Sequence, residues 1–300
     1  MRALALTVAA SLAASAAVPA RADADESGLD VRVPLDSGLT AAALVGSLLF
    51  MFVPVDRDRV WERELLPVDL CVRDNFSASA AKLSDGFVAL ALVSPLVAEL
   101  GGGVDEAYSK RTILYGEALG ASLLLNSAVK YAVQRPRPYV YNPDPRVRRW
   151  AKAQGADSRL SFYSAHASMT FTAAVAGSYL FARQAGDDTA RAALWGIEMT
   201  FASAAANLRV RAGKHYYSDV ILGALLGAGT GYLIPAIRDD AGFYRPSTRE
   251  LVAIGGGLVL GTVGSQLLPL DDDVLASLGG VQVVPVAWAD GAGLLVGASY

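Results

Sequence analysis

Six apolar stretches, 39–53, 86–98, 114–133, 167–182, 192–206 and 220–237, dominate the middle of this 300-residue chain. None sustains an alternation of apolar and polar residues, and alanine and leucine prevail in all of them, so the pattern predicts helices rather than strands. Residues 23–238 accordingly read as one all-α domain, a six-helix bundle. Gly223, Gly227 and Gly231 recur every four residues along the last stretch, a small-residue face on which a second helix can lie closely. Hydrophobic residues make up 53% of the chain, which raises the question of a membrane. Only 39–53 and 220–237 lie in uncharged runs near the ~20 residues that a span needs. The stretch 86–98 is short, and Glu117 and Glu198 interrupt two others. The expectation is a membrane-associated helical domain.

The flanks differ from this body. Arg2, an apolar run over 3–18, and Ala20-Arg21-Ala22 before Asp23 give 1–22 the form of an export signal, with a first membrane anchor as the alternative. Residues 23–37 are polar and read as a loose leader. Segment 56–85 carries Trp61-Glu62-Arg63-Glu64-Leu65-Leu66, which reads as an amphipathic interfacial or bundle helix. Residues 239–300 read as a linker and a Gly-rich extension. The extension ends in β-prone runs, 281–288 and 292–300, around the turn Ala289-Asp290-Gly291, the pattern of a β-hairpin.

Composition removes several function classes. A net charge of −3 argues against a nucleic-acid partner. The single Cys71 excludes an internal disulfide and a cysteine-rich metal site, and two histidines without clustered carboxylates point away from any metal or other cofactor.

Three short pieces carry chemistry. In NLRVRAGKHYYSD, Arg209 lies six positions before His215 and Asp219 four after it. A carboxylate one helical turn away can fix an imidazole's tautomer and leave its other nitrogen as base or nucleophile. A helix-start histidine with a surface Arg and a capping Asp fits the same residues. In SRLSFYSAHASMTF, Ser161 and Ser164 are helix-capping types, and His166 follows them into an apolar run. Such a helix start binds anions, phosphate above all. In KYAVQRPRP, Lys130 precedes Arg137 by seven positions, which on a helix stopped by Pro138 would face both the same way. Three cations, two histidines, one carboxylate and a helix start form an inventory for holding and attacking a phosphate.

These pieces resemble, in order and spacing, the three motifs of the type 2 phosphatidic acid phosphatase (PAP2) superfamily, which includes bacterial acid phosphatases and vanadium haloperoxidases. Lys130 to Pro138 fits the first motif and Arg209 to Asp219 the third; Tyr163-Ser164-Ala165-His166 fits the middle Pro-Ser-Gly-His at two of four positions. Ala165 keeps the backbone N–H of the family's Gly and suits the position unless a positive φ is required. The resemblance covers roughly 39–237 and implies a metal-independent phosphatase. In it, Lys130, Arg137 and Arg209, with Ser164 and the Ala165 N–H, hold the phosphoryl group. His215, oriented by Asp219, forms a phosphohistidine, and His166 serves the leaving group and the water. The implied substrate is a phosphorylated small molecule or a lipid head group, and the implied location is the periplasm or envelope. A vanadium-dependent haloperoxidase and a non-catalytic envelope protein are the alternatives.

Topology sets two rules against each other. With an exported N-terminus, three spans would put 130–138 and the basic loop after it (Arg146, Arg148, Arg149, Lys152) on the cytoplasmic face, as the positive-inside rule favours. The resemblance implies a site on the outer side; an exported bundle, soluble or partly embedded, satisfies both. The basic loop itself fits a cover for the phosphate pocket, a contact with anionic head groups, or a solvated segment.

Overall fold

A computed structural model of the chain describes residues 28–56 and 66–270, together with the backbone of 280–288 and 291–299. The export signal at 1–22, the helix expected from Trp61, the turn residues Ala289 and Asp290, and Tyr300 lie outside the described residues.

The described body is helical. It runs α1 (Val33–Leu49), α2 (Pro67–Leu70), α3 (Ala78–Glu99), α4 (Glu106–Val133), α5 (Pro145–Ala153), α6 (Ala165–Gln184), α7 (Asp188–Arg211), α8 (Tyr217–Ala236) and α9 (Thr248–Leu267). Strands β1 (Gly280–Trp288) and β2 (Gly291–Ser299) follow, paired antiparallel with Val283 opposite Val296. Side-chain caps set many of the helix starts: Ser77, Asp105, Ser164, Asp187 and Ser247 each accept a backbone N–H of the first turn.

Helix α6 is the axis of the fold. It packs against α3, α4, α7 and α8, and its small residues let those neighbours approach. The Gly223–Gly227–Gly231 face of α8 lies directly on the α6 backbone: a Cβ at Gly223 would stand 2.7 Å from the Ser164 carbonyl, and one at Gly231 2.6 Å from that of Thr172. Across this contact Thr172 donates to the Gly227 carbonyl at 3.0 Å, while Ser168 bonds Ser122 of α4 at 2.7 Å.

Three expectations are corrected. Residues 251–270 are not an extension: α9 packs along α7, with Gly257 and Gly261 against the α7 backbone, so the described residues hold seven long helices where six were expected. The glycines that lower helix propensity there are what permit the close approach, and the reciprocal bonds of Ser247 and Glu250 mark its start. Residues 29–37 are not a loose leader either. Leu29 is buried and bridges to Asp239, and α1 begins at Val33. Finally, Arg137 does not share a helix face with Lys130. Gln134 takes a left-handed φ of 51° and its N–H closes on the Lys130 carbonyl, so α4 ends at Val133 and Arg137 stands in extended backbone.

Among the described residues, five helical segments are long and apolar enough to cross a membrane: Val33–Phe52, Ala78–Gly102, Glu106–Tyr141, Tyr217–Ala236 and Thr248–Leu267. The stretch read as short, 86–98, belongs to the 22-residue α3. Apolar side chains such as Val93, Val97, Leu225 and Val259 point outward from these segments. Faces of that extent suit lipid rather than water. Glu198 lies on α7, which is not among these segments; it is buried and bonded to Ser94 on α3.

Candidate active site

One end of the bundle gathers the chemistry. The C-terminal ends of α4 and α7 meet the N-terminal ends of α6 and α8 around a cleft of about 520 Å³, lined by Lys130, Arg137, Ala165, His166, Arg209 and His215. Six of the eight residues expected in the site therefore share one cavity. Ser164 and Asp219 lie beneath its floor, both fully buried.

The turn between α7 and α8 delivers Arg209 and His215 together. Gly213 makes it possible, with φ at 65° and its Cα against the Asn75 carbonyl, where a side chain has no room. The backbone N–H groups of Lys214 and His215 then return to the Arg209 carbonyl. His215 is buried. Arg137 Nη1 donates to its Nε2 at 3.0 Å, which puts the ring proton on Nδ1. Burial first, then the charges of Arg137, Lys130 and Arg209, hold this imidazole well below its ordinary range.

Asp219 is near His215 without being hydrogen-bonded to it. Oδ2 stands 3.6 Å from Nδ1, and Nδ1 is buried with no hydrogen-bond partner among the described residues. The carboxylate is instead held by Arg135 at 2.7 Å, the Ser161 hydroxyl at 2.5 Å and the Tyr216 N–H at 2.9 Å.

At the start of α6, Ser164 caps the helix by accepting the Ala167 N–H, and its own N–H donates to the Asp219 carbonyl. Ala165 is the first helical residue and has no positive φ, so Ala replaces Gly there without strain. His166 Nε2 donates to Asp85 at 2.7 Å, and Arg209 Nη1 lies 3.7 Å from the same carboxylate. Arg209 Nε is buried without a partner among the described residues.

Residues 136–159, read as a loop, contain α5 and form one wall of the cleft. Arg137 is clamped there, its Nε donating to the Asp157 carbonyl and Nη2 to the Asp157 carboxylate at 2.7 Å. Burial opposes ionisation of Asp157, but Arg137 and Lys130 outweigh it and bring the carboxyl down to about 2. Lys214 adds a cation, its Nζ 4.4 Å from the Trp150 ring. Burial, with Arg137 and Arg209, lowers it to about 8.

Four residues of the site were not anticipated. Lys214 and Arg135 stand inside the motif stretches, so proximity to His215 and Arg137 was the available signal. Asp85 and Asp157 are single carboxylates with no spacing relation to either histidine, and only folding brings them there.

Residues 111–243 match the family model of the PAP2 superfamily. No curated protein and no solved structure matches the chain.

Proposed function

From the match of residues 111–243 to the PAP2 superfamily model, we propose that this chain is a phosphatase that hydrolyses phosphate monoesters or lipid phosphates and diphosphates through a phosphohistidine on His215. The observation that carries this reading is the convergence of Lys130, Arg137, Arg209 and Lys214 with both histidines of the chain on one cleft. Fixed cations in a partly dry cleft stabilise charge on the equatorial oxygens of a transferring phosphoryl group without reorganisation.

The steps follow from the atoms. A phosphoryl oxygen takes over the Arg137 N–H now donated to His215, which frees the Nε2 lone pair to attack phosphorus. The bond to the leaving oxygen breaks as His166 gives that oxygen a proton. Asp219, opposite Nδ1–H, stabilises the charge the imidazole acquires. His166 then takes a proton from water, whose oxygen attacks phosphorus, and the N–P bond breaks to restore His215. The N–H of Ala165, on the cleft lining, assists the cations, and Ser164 holds the helix start beneath it.

Leu48 and Met51 from the first span and Leu123 from α4 also line the cleft. This apolar wall beside a cationic floor supports a phosphate carried on an alkyl or prenyl chain, and with the five apolar segments it supports a membrane-embedded envelope enzyme.

The test is phosphate release by purified protein in detergent micelles, from lipid phosphates and from 4-nitrophenyl phosphate. Hydrolysis is expected to survive EDTA and to be inhibited competitively by vanadate. Loss of activity on chelation, restored by a divalent ion, contradicts the metal-free mechanism. Halide oxidation on adding vanadate identifies a haloperoxidase instead.

A further inference from the structure

We propose that Arg135, together with Asp69, is a positioning element that fixes which oxygen of Asp219 faces His215, and so places the carboxylate that stabilises the imidazolium formed on phosphorylation. The proposal rests on the phosphatase reading of the same site. Arg135 does not line the cleft. Its guanidinium lies behind His215, 4.0 Å from the centre of the Tyr216 ring, and bridges two fully buried carboxylates. Nη1 donates to Asp219 Oδ1 at 2.7 Å and to the Ser218 hydroxyl at 2.8 Å; Nη2 donates to Asp69 Oδ2 at 2.9 Å. Asp69, from α2, is locked in turn by the Ser218 N–H at 3.0 Å and the Ser218 hydroxyl at 2.6 Å.

The consequence is directional. Arg135 occupies the Oδ1 side of Asp219, so Oδ2 is the atom turned to His215 Nδ1, in company with Ser161 and the Tyr216 N–H. A planar guanidinium can hold two carboxylates at fixed angles, whereas an ammonium cannot. The charges facing Asp219 are Arg135 from the α4–α5 connection, Asp69 from α2, and His215 beside its own helix, with Lys130 and Arg137 beyond the imidazole. Take Arg135 away and two buried carboxylates remain without their shared cation; one binds a proton. A protonated Asp219 would no longer stabilise an imidazolium that forms on phosphorylation. The same loop thus supplies Arg137 to the cleft side of His215 and Arg135 to its rear.

The experiment is single-turnover burst kinetics with 4-nitrophenyl phosphate across pH 4.5–8, on wild type, Arg135→Gln and Arg135→Lys. The variants should lose roughly 10- to 100-fold in phosphorylation rate, by analogy with outer groups that orient metal-bound imidazoles. KM and vanadate inhibition should stay near wild type, because the cleft cations are untouched. In Arg135→Gln the acid limb of the rate should move to higher pH; Arg135→Lys, which keeps the charge, should restore the limb more than the rate. A lower melting temperature with an unshifted pH profile would make Arg135 a purely structural residue and overturn the proposal, as would wild-type rates in both variants. Nitrogen-15 spectra of His215 give a readout that needs no turnover: the Nδ1 resonance, which reports the facing carboxylate, should shift in Arg135→Gln, or in Arg135→Lys if the former does not fold. An unchanged Nδ1 resonance rejects the positioning role. Wild-type protein that forms no phosphoenzyme while the Nδ1 shift is seen rejects the phosphatase reading alone.

Discussion

Arg209 and Arg211 are two residues apart on one helix, and the structure gives them different tasks. Arg209 faces the cleft, while Arg211 reaches the end of α9, where its Nη1 donates to the Ser265 carbonyl and Nη2 to that of Leu268. Arg209→Lys keeps the charge and removes the rigid fork, so kcat should fall roughly 10²–10³-fold by analogy with one lost oxyanion donor. Arg211→Lys should leave kcat near wild type and lower thermal stability slightly. Steady-state kinetics and melting of the two variants check this; equal kcat for Arg209→Lys and wild type removes Arg209 from the site. His215 allows a second test, since the chain has only two histidines and a labelled sample is easily assigned. Its folded pKa lies below the unfolded one, so the unfolded chain binds the extra proton first as pH falls. The stability contributed by His215 is therefore complete above its ordinary titration range and is lost as pH falls toward the folded value. A carbon-13 titration should find His215 neutral through pH 6, and Lys130→Gln, which removes a neighbouring cation, should raise its midpoint. A midpoint at the ordinary value would contradict the burial of the ring among cations.

At the scale of elements, the α6–α8 contact depends on what is missing from Gly227. A Cβ there would run into the Ser168 backbone, whereas Gly229, one step round the same helix, has open space. Gly227→Ala should destabilise by about 1–3 kcal/mol through overpacking, and Gly229→Ala should be neutral or stabilise by up to about 1 kcal/mol. Denaturation midpoints in detergent compare the pair; similar shifts in both would deny the close approach. This stripe was legible in the sequence because its four-residue period is a helical period. The companion pair Gly257 and Gly261 was not, because Gly255 and Gly256 beside them depress helix propensity and hide the period. The end of α4 was hidden for a different reason: Pro138 looks like the stop, but Gln134 turns left-handed first. Within the site, His215, His166, Lys130, Arg137 and Arg209 were picked out by their motifs, although the shared helix face read from the Lys130–Arg137 spacing does not exist. Asp85, Asp157 and the Arg135–Asp69 bridge were not, since they arise from contacts between distant segments.

For the whole molecule, the fold is a central small-residue helix wrapped by apolar helices, with every chemical group of the cleft at one end of the bundle. The N-terminus of α6 and the turn before α8 meet there, and the α6–α8 glycine contact fixes their separation. Rigid packing thus continues into the site and, in the proposed reaction, presents His215 Nε2 to phosphorus. The direct measurement is to quench the enzyme in mid-turnover with a phosphate ester and locate the label by mass spectrometry under alkaline conditions, where phosphohistidine survives. The account predicts about one phosphoryl group per active chain, on the peptide containing His215, absent from His215→Ala. Label on His166 or on a serine, or turnover in His215→Ala at a rate near wild type, would contradict it.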